Sequence, residues 1–291
     1  MIIDVHTHFA DESLFSKKFL NGVVGSYPEY NLDMNIINAL IKKILSDKFC
    51  DKLIKQMDEA GIDKSVLLMA DFGYEEKLDW NYFFQKHVDV IKKHPNRLMA
   101  FWGCDCRRDN RHVDKFEESI KEYGFKGMKV YPPCGFDLTD NRMNDYYEIC
   151  CYHGIPVLIH TGASNQDMYN DYDYIQQLKV IQEKFPSLKV VMAHLTTDGF
   201  EERVEYCKAH KNCYCDVSAF QREYGKETLA EKIKVIRDTI PDQVLFGTDW
   251  PLYSMMGKQK KWVDYFRDSD LLSDSLKEKI FYKNYEYMME K

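Results

Sequence analysis

Residues 2–9 read IIDVHTHF, with His6 and His8 one residue apart inside an apolar run. In a strand, side chains i and i+2 share a side, with backbones roughly 6.6 Å apart. Two imidazoles so placed can converge on one cation, or they can be two satisfied core or edge histidines. The pair alone does not decide. Other polar residues close other apolar runs: PVLIHT ends near His160, KVVMAH ends in His194 and VLFGTD ends in Asp249, while GMKVYP carries Lys129 in its middle. Nitrogen and carboxylate donors in this number suit a metal site. The remaining histidines, His87, His94, His112, His153 and His210, fall in helices or loops and read as surface or capping residues.

Whether these groups can meet depends on the elements that carry them. Eight apolar runs recur, at 2–8, 65–70, 98–104, 127–132, 156–161, 189–194, 213–218 and 244–249. Most are apolar on both faces, as expected of parallel strands covered by helices. Between them lie helical periodicities. FCDKLIKQMDEAG sets Phe49, Leu53, Met57 and Ala60 on one face, with Gly61 as C-cap. YFFQKHVDVIKKHP, YIQQLKVIQEKFP and ETLAEKIKVIRDTIP each stop before a proline. SLKEKIFYKNYEYMM predicts a closing helix. Alternating strands and helices without a long polar linker predict an α/β fold, a (β/α)8 TIM barrel forming one domain over residues 1–291. An open doubly wound sheet would need a Gly-rich dinucleotide turn, which is missing. In a parallel barrel the catalytic groups sit at the C-terminal ends of strands, where His6, His8, His160, His194 and Asp249 fall. The spacing breaks only after the first strand. There, residues 9–48 hold the turn-rich NGVVGSYPEYN and a predicted extra helix, DMNIINALIKKIL. This insertion is either a lid over the barrel mouth or a capping decoration.

Composition narrows the function classes. A formal net charge of −7 argues against a basic face for nucleic acid. No apolar run approaches the ~20 residues that cross a bilayer, and no basic-then-apolar leader precedes the first strand, so a cytoplasmic protein with no membrane partner is expected. The nine cysteines lack CxxC spacing. They read as buried reduced thiols, with a second, cysteine-based metal site as the lesser alternative.

IIDVHTHF, KGMKVYPP, PVLIHTG, VVMAH and VLFGTDWP, in this order from residue 2 to about 251, resemble the amidohydrolase superfamily. They are most similar to its amidohydrolase-related (amidohydrolase 2) branch, which includes aminocarboxymuconate-semialdehyde decarboxylase. The resemblance implies that His6, His8, His160 and Asp249 are metal ligands. It implies that His194 stands beside the metal, where it orients or deprotonates water or polarises substrate. Lys129 then binds a substrate carboxylate or a neighbouring acid. One divalent metal is expected: zinc suits such a set, with Zn–N of ~2.0–2.1 Å, and Mn²⁺, Fe²⁺ or Co²⁺ are alternatives. Relatives are often homodimers.

Two chemistries follow from the resemblance. In a hydrolase, Asp249 accepts the proton of an activated water and His194 stabilises the oxyanion, on a small ester, lactone or amide. In a lyase, the same site releases CO2 from a small unsaturated or aromatic acid. Arg107, Arg108 and Arg222 follow strands at the rim as carboxylate-binding candidates, with surface arginine as the alternative. Tyr131 and Trp250 flank ligand positions and could line a pocket or pack against a loop. A TatD-like nuclease would carry a glutamate where this chain has Lys129, which argues against it.

Overall fold

The computed structural model describes residues 1–25, 34–72, 78–109, 111–162 and 164–290. Strand β1 (Ile3–Thr7) is buried along its length. It opens a parallel series of β2 (Lys64–Leu68), β3 (Leu98–Cys104), β4 (Met128–Val130), β5 (Val157–Ile159), β6 (Val190–Met192), β7 (Cys213–Asp216) and β8 (Val244–Leu245), each paired with the next in chain order. The last strand returns to the first. Val5 N–H donates to Phe246 O at 2.9 Å, Asp249 N–H to His6 O at 2.7 Å and His8 N–H to Trp250 O at 2.7 Å. The expected barrel is therefore present. Several strands end sooner than the apolar runs suggest, because His160, His194 and Asp249 leave the ladder to form the rim.

The helices are α1 (Lys17–Gly25), α2 (Met34–Ile44), α3 (Asp51–Ala60), α4 (Trp80–Lys93), α5 (Arg111–Tyr123), α6 (Asn144–His153), α7 (Tyr174–Lys184), α8 (Phe200–Ala209), α9 (Glu227–Thr239), α10 (Gln259–Arg267), α11 (Asp274–Glu278) and α12 (Asn284–Glu290). A π-helical stretch, Lys279–Lys283, joins the last two. Alternate strand residues separate two apolar layers. Ile3, Val5, Val66, Phe101, Leu158, Val191 and Leu245 fill the barrel, and Tyr285 and Met288 of α12 close its floor. Leu67, Trp102, Val130, Ile159 and Met192 pack outward against the helices. This two-sided burial is why the strands lack polar alternation.

Register breaks once, in β1. Asp4 pairs with Ser65 and Thr7 with Leu67, so one extra residue is spent on β1. Such a bulge re-aims the side chains beyond it. Val5 still packs into the barrel, and both His6 and His8 then line the cavity at its mouth.

Some expectations need correction. Gly61 caps α3 with φ 74°, as expected, but Phe49 is 59% exposed and lies under the Lys86 and Lys93 ammonium groups. His87 is fully buried, its Nδ1 held 2.9 Å from Phe83 O, so it is a core residue. Residues 21–25 continue α1, because Phe19, Leu20 and Val23 pack against the core and override the local glycines; residues 26–31 of the turn-rich stretch lie outside the described residues. The extra helix is α2. None of the nine cysteines forms a disulfide. Among the described residues, the groups able to hold an ion contain no cysteine. No helix among them is long and apolar enough to cross a membrane.

Candidate metal centre

A cavity of about 450 Å³ opens at the C-terminal ends of the strands, a size typical of small-molecule sites. His6, His8, Lys129, His160, His194 and Asp249 all line it. Each is buried, at 8% exposure or less.

Hydrogen bonds fix which imidazole nitrogens are free. His6 Nδ1 lies 2.8 Å from Asp216 Oδ2. A carboxylate only accepts, so the proton sits on Nδ1 and the Nε2 lone pair is left over. His8 Nδ1 donates to Leu68 O at 3.1 Å, with the same result. The next two rings form a chain from Asp216. Ser218 gives its hydroxyl proton to Asp216 Oδ1 and accepts from His194 Nδ1 at 2.8 Å. His194 Nε2 in turn accepts from His160 Nδ1 at 3.1 Å. His160 is thereby left with a free Nε2.

The free atoms of His6, His8 and Asp249 lie close together. Asp249 Oδ1 lies 3.2 Å from His8 Nε2 and 3.5 Å from His6 Nε2. Ligand–metal distances of ~2.0–2.1 Å imply a tetrahedral edge of about 3.3 Å, so these separations fit one shared cation. His6 Nε2, His160 Nε2 and Asp249 Oδ1 are buried and make no hydrogen bond. Buried acceptors facing one another are costly without a partner, and a divalent cation would satisfy them. The residues present therefore fit the group. His6, His8 and Asp249 form one such cluster and His6, His194 and Asp216 a second. His160 belongs to neither and is reached through His194. Since Asp216 is already committed to His6 and Ser218, the second cluster is better read as the support of the first.

Electrostatics agree with this. Burial lowers the pKa of His8 and His160 and takes His194 down to about 3, so these rings are neutral, as metal ligands must be. Asp249 lies below the usual carboxylate range despite its burial, and is the anion that such a site needs. Backbone strain marks the same residues. His194 and Asp249 have φ of 62° and 53°, left-handed values that non-glycine residues adopt at a cost of roughly 1–3 kcal/mol.

Among the substrate-binding candidates, Lys129 and Tyr131 line the cavity. Arg107 does not. Its guanidinium clamps Asp105 at 2.6 and 2.9 Å and donates to Cys134 O. Trp250 also fails to reach the cavity: it is 4% exposed and packs in the core, because the chain turns at Asp249. Arg108 pairs with Asp71 at 2.5 and 2.8 Å, whereas Arg222 lines the mouth. Phe15, Phe19 and Val23 of the insertion line the wall beside Phe72. Asp216 and Ser218 escaped the sequence reading, although Asp216 is the one charged residue of the seventh apolar run and closes β7.

Comparison with known proteins agrees with the barrel. Residues 3–284 match the amidohydrolase family. A dihydroorotase from Buchnera aphidicola subsp. Schizaphis graminum is 30% identical over 95 residues, 29% of this chain and 27% of that protein, so the match spans about a quarter of that relative. Among solved structures, an uncharacterised TIM-barrel protein from Bordetella bronchiseptica superposes with a TM-score of 0.70 at 17% identity, over 99% of this chain and 98% of that one. A dihydroxybenzoic acid decarboxylase from Polaromonas sp. JS666, with bound manganese and 2-nitroresorcinol, gives 0.67 at 18% identity, over 99% and 96%. A 4-oxalomesaconate hydratase from Rhodopseudomonas palustris gives 0.66 at 19%, over 100% and 96%. At such identities the structural likenesses speak for the fold; the family match covers nearly the whole chain. This chain belongs to the amidohydrolase family of metal-dependent TIM-barrel enzymes.

Proposed function

We propose that the protein is a metal-dependent hydrolase acting on a small carboxylated ester, lactone or amide. One observation carries the substrate class. Lys129 is 1% exposed, lines the cavity beside His6, His8 and Asp249, and its ammonium has no hydrogen bond or ion pair among the described residues. The Tyr131 ring lies 6.0 Å from it, but an ammonium taken out of water with neither hydrogen bond nor ion pair is expensive. A substrate carboxylate would supply the partner.

The cation, zinc or manganese, would be held by His6, His8 and Asp249, with His160 Nε2 available beside them; it would supply Lewis-acid polarisation and bring the pKa of a water towards ~7. The chain's own residues do the rest. Lys129 fixes the carboxylate and so presents the reacting carbonyl in one orientation. Asp249 takes the proton of the attacking water and returns it to the leaving group. His194 has both ring nitrogens committed, so its task in this arrangement is to hold His160 in one tautomer. The wall formed by Phe15, Phe19 and Val23 supports the reading of the insertion as a cover that excludes water.

Decarboxylation of a small unsaturated or aromatic acid is the second reading. Its support is the aromatic wall, in which Phe19 stacks on Phe72 at 4.4 Å and Phe72 meets Tyr131 edge-on at 4.8 Å, together with the likeness to a decarboxylase. A panel of carboxylated lactones, esters and amides beside aromatic acids separates the two. Hydrolysis produces acid without CO2. CO2 released in step with substrate loss overturns the first reading in favour of the second.

Lys129 also predicts a pH limb. Burial lowers its pKa from 10.5 to about 8, so the ammonium is present below that pH and is lost above it. kcat/KM for an anionic substrate is expected to fall as pH rises through about 8, and a flat profile to pH 10 would argue against this role.

A further inference from the structure

We propose that Asp4 is a positioning residue for Asp249, acting through Thr248 and steadied by Gln259 of the outer helix α10. Asp4 is fully buried, and neither it, Thr248 nor Gln259 lines the cavity. Its carboxylate accepts four hydrogen bonds. Oδ1 takes His6 N–H at 3.2 Å and Thr248 N–H at 3.0 Å. Oδ2 takes the Thr248 hydroxyl at 2.6 Å and Gln259 Nε2 at 3.0 Å. Thr248 Oγ1 also accepts from Trp250 N–H at 3.3 Å. Thr248 is thus tied directly to one buried anion and Trp250 through Thr248, and the same anion holds the backbone of His6.

The reason for such a tie is the conformation of Asp249 itself. Its φ of 53° is left-handed, a region non-glycine residues seldom choose. Aspartate visits this region more readily than most residues, and the flanking bonds hold it there. Asp4 anchors those bonds, and Asp249 N–H then reaches His6 O at 2.7 Å. The result places Asp249 Oδ1 within reach of both His6 and His8. Gln259 orients the Asp4 carboxylate from outside the barrel, and its own backbone N–H is held by Gln56 Oε1 of α3 at 3.3 Å.

This inference rests on the reading that His6, His8 and Asp249 hold a divalent cation. The test measures Zn²⁺ affinity by chelator competition, and thermal unfolding of the metal-free protein, in wild type, Thr248→Val, Thr248→Ser and Gln259→Leu. Thr248→Val and Gln259→Leu are expected to bind Zn²⁺ about 10- to 100-fold more weakly, the usual scale for residues that orient ligands. Thr248→Ser keeps the hydroxyl and is expected to stay within about 3-fold of wild type. Folded Thr248→Val and Gln259→Leu proteins with wild-type affinity would overturn the proposal. So would failure of both to fold, since the bonds would then serve folding and not ligand placement. A merely structural role would lower the metal-free unfolding temperature and leave the affinity of the folded protein unchanged. Wild type that binds no Zn²⁺ would remove the underlying reading instead.

Discussion

Lys129→Met lowers kcat/KM for the anionic substrate by about 10²-fold and, in the same protein, raises the unfolding temperature. The first effect follows from losing a charge-assisted bond of about 1.5–3 kcal/mol. The second follows from removing an ammonium that the fold buries with neither hydrogen bond nor ion pair among the described residues. A pKa lowered from 10.5 to about 8 corresponds to about 3 kcal/mol of folding free energy spent on keeping that charge. The sign is fixed by linkage. Between the two pKa values the unfolded chain binds more protons than the folded one, so the parent gains stability as pH climbs from about 8 to 10.5. The advantage of Lys129→Met is therefore full below pH 8 and shrinks above it. Methionine fills the space of the apolar stem. Steady-state kinetics and calorimetry at pH 7 and pH 10 check both halves. A variant of unchanged kcat/KM and lower melting temperature would contradict the substrate-binding role.

His6→Ala has the largest expected effect on turnover, a loss of more than about 10³-fold, because the chemistry of an activated water is lost with the cation. Metal analysis of the purified variant is expected to show occupancy far below that of wild type. Turnover is expected to fall to the level of wild type stripped by a chelator. Added metal restores the stripped wild type and leaves the variant inactive. The substitution also strips Asp216 of its 2.8 Å partner, so a drop in metal-free stability should accompany it. Near-native activity in a folded His6→Ala protein would refute the metal reading of this centre.

The barrel was legible because burial on both faces of a parallel strand leaves a plain mark: eight apolar runs, with helical periods between them. Asp249, His160 and His194 were legible for a related reason. A charged or imidazole group at the end of an apolar run is out of place unless something uses it. Asp216 is less plain, because it stands inside CYCDVS with Val217 still to follow. Ser218 could not be found this way, since a serine two residues beyond a strand is ordinary and its importance comes from joining Asp216 to His194. Gln259 is harder still. Its contact with Asp4 spans 255 residues, and no period of strand or helix encodes a bond between elements so far apart. Arg107 and Trp250 misled because proximity to a strand end does not say which way a side chain turns. Arg107 folds back on Asp105 two residues earlier.

The extra residue in β1 makes the length of this strand a functional quantity. Asp4 faces outward to α10, Val5 inward, and His6 inward again only because the count is uneven there. Deleting Val5 would restore simple alternation and draw His6 into the place that Val5 holds in the apolar filling of the barrel. The composition and hydropathy of the segment would hardly change. The first strand can thus exchange its aliphatic side chains far more freely than it can gain or lose a single peptide unit.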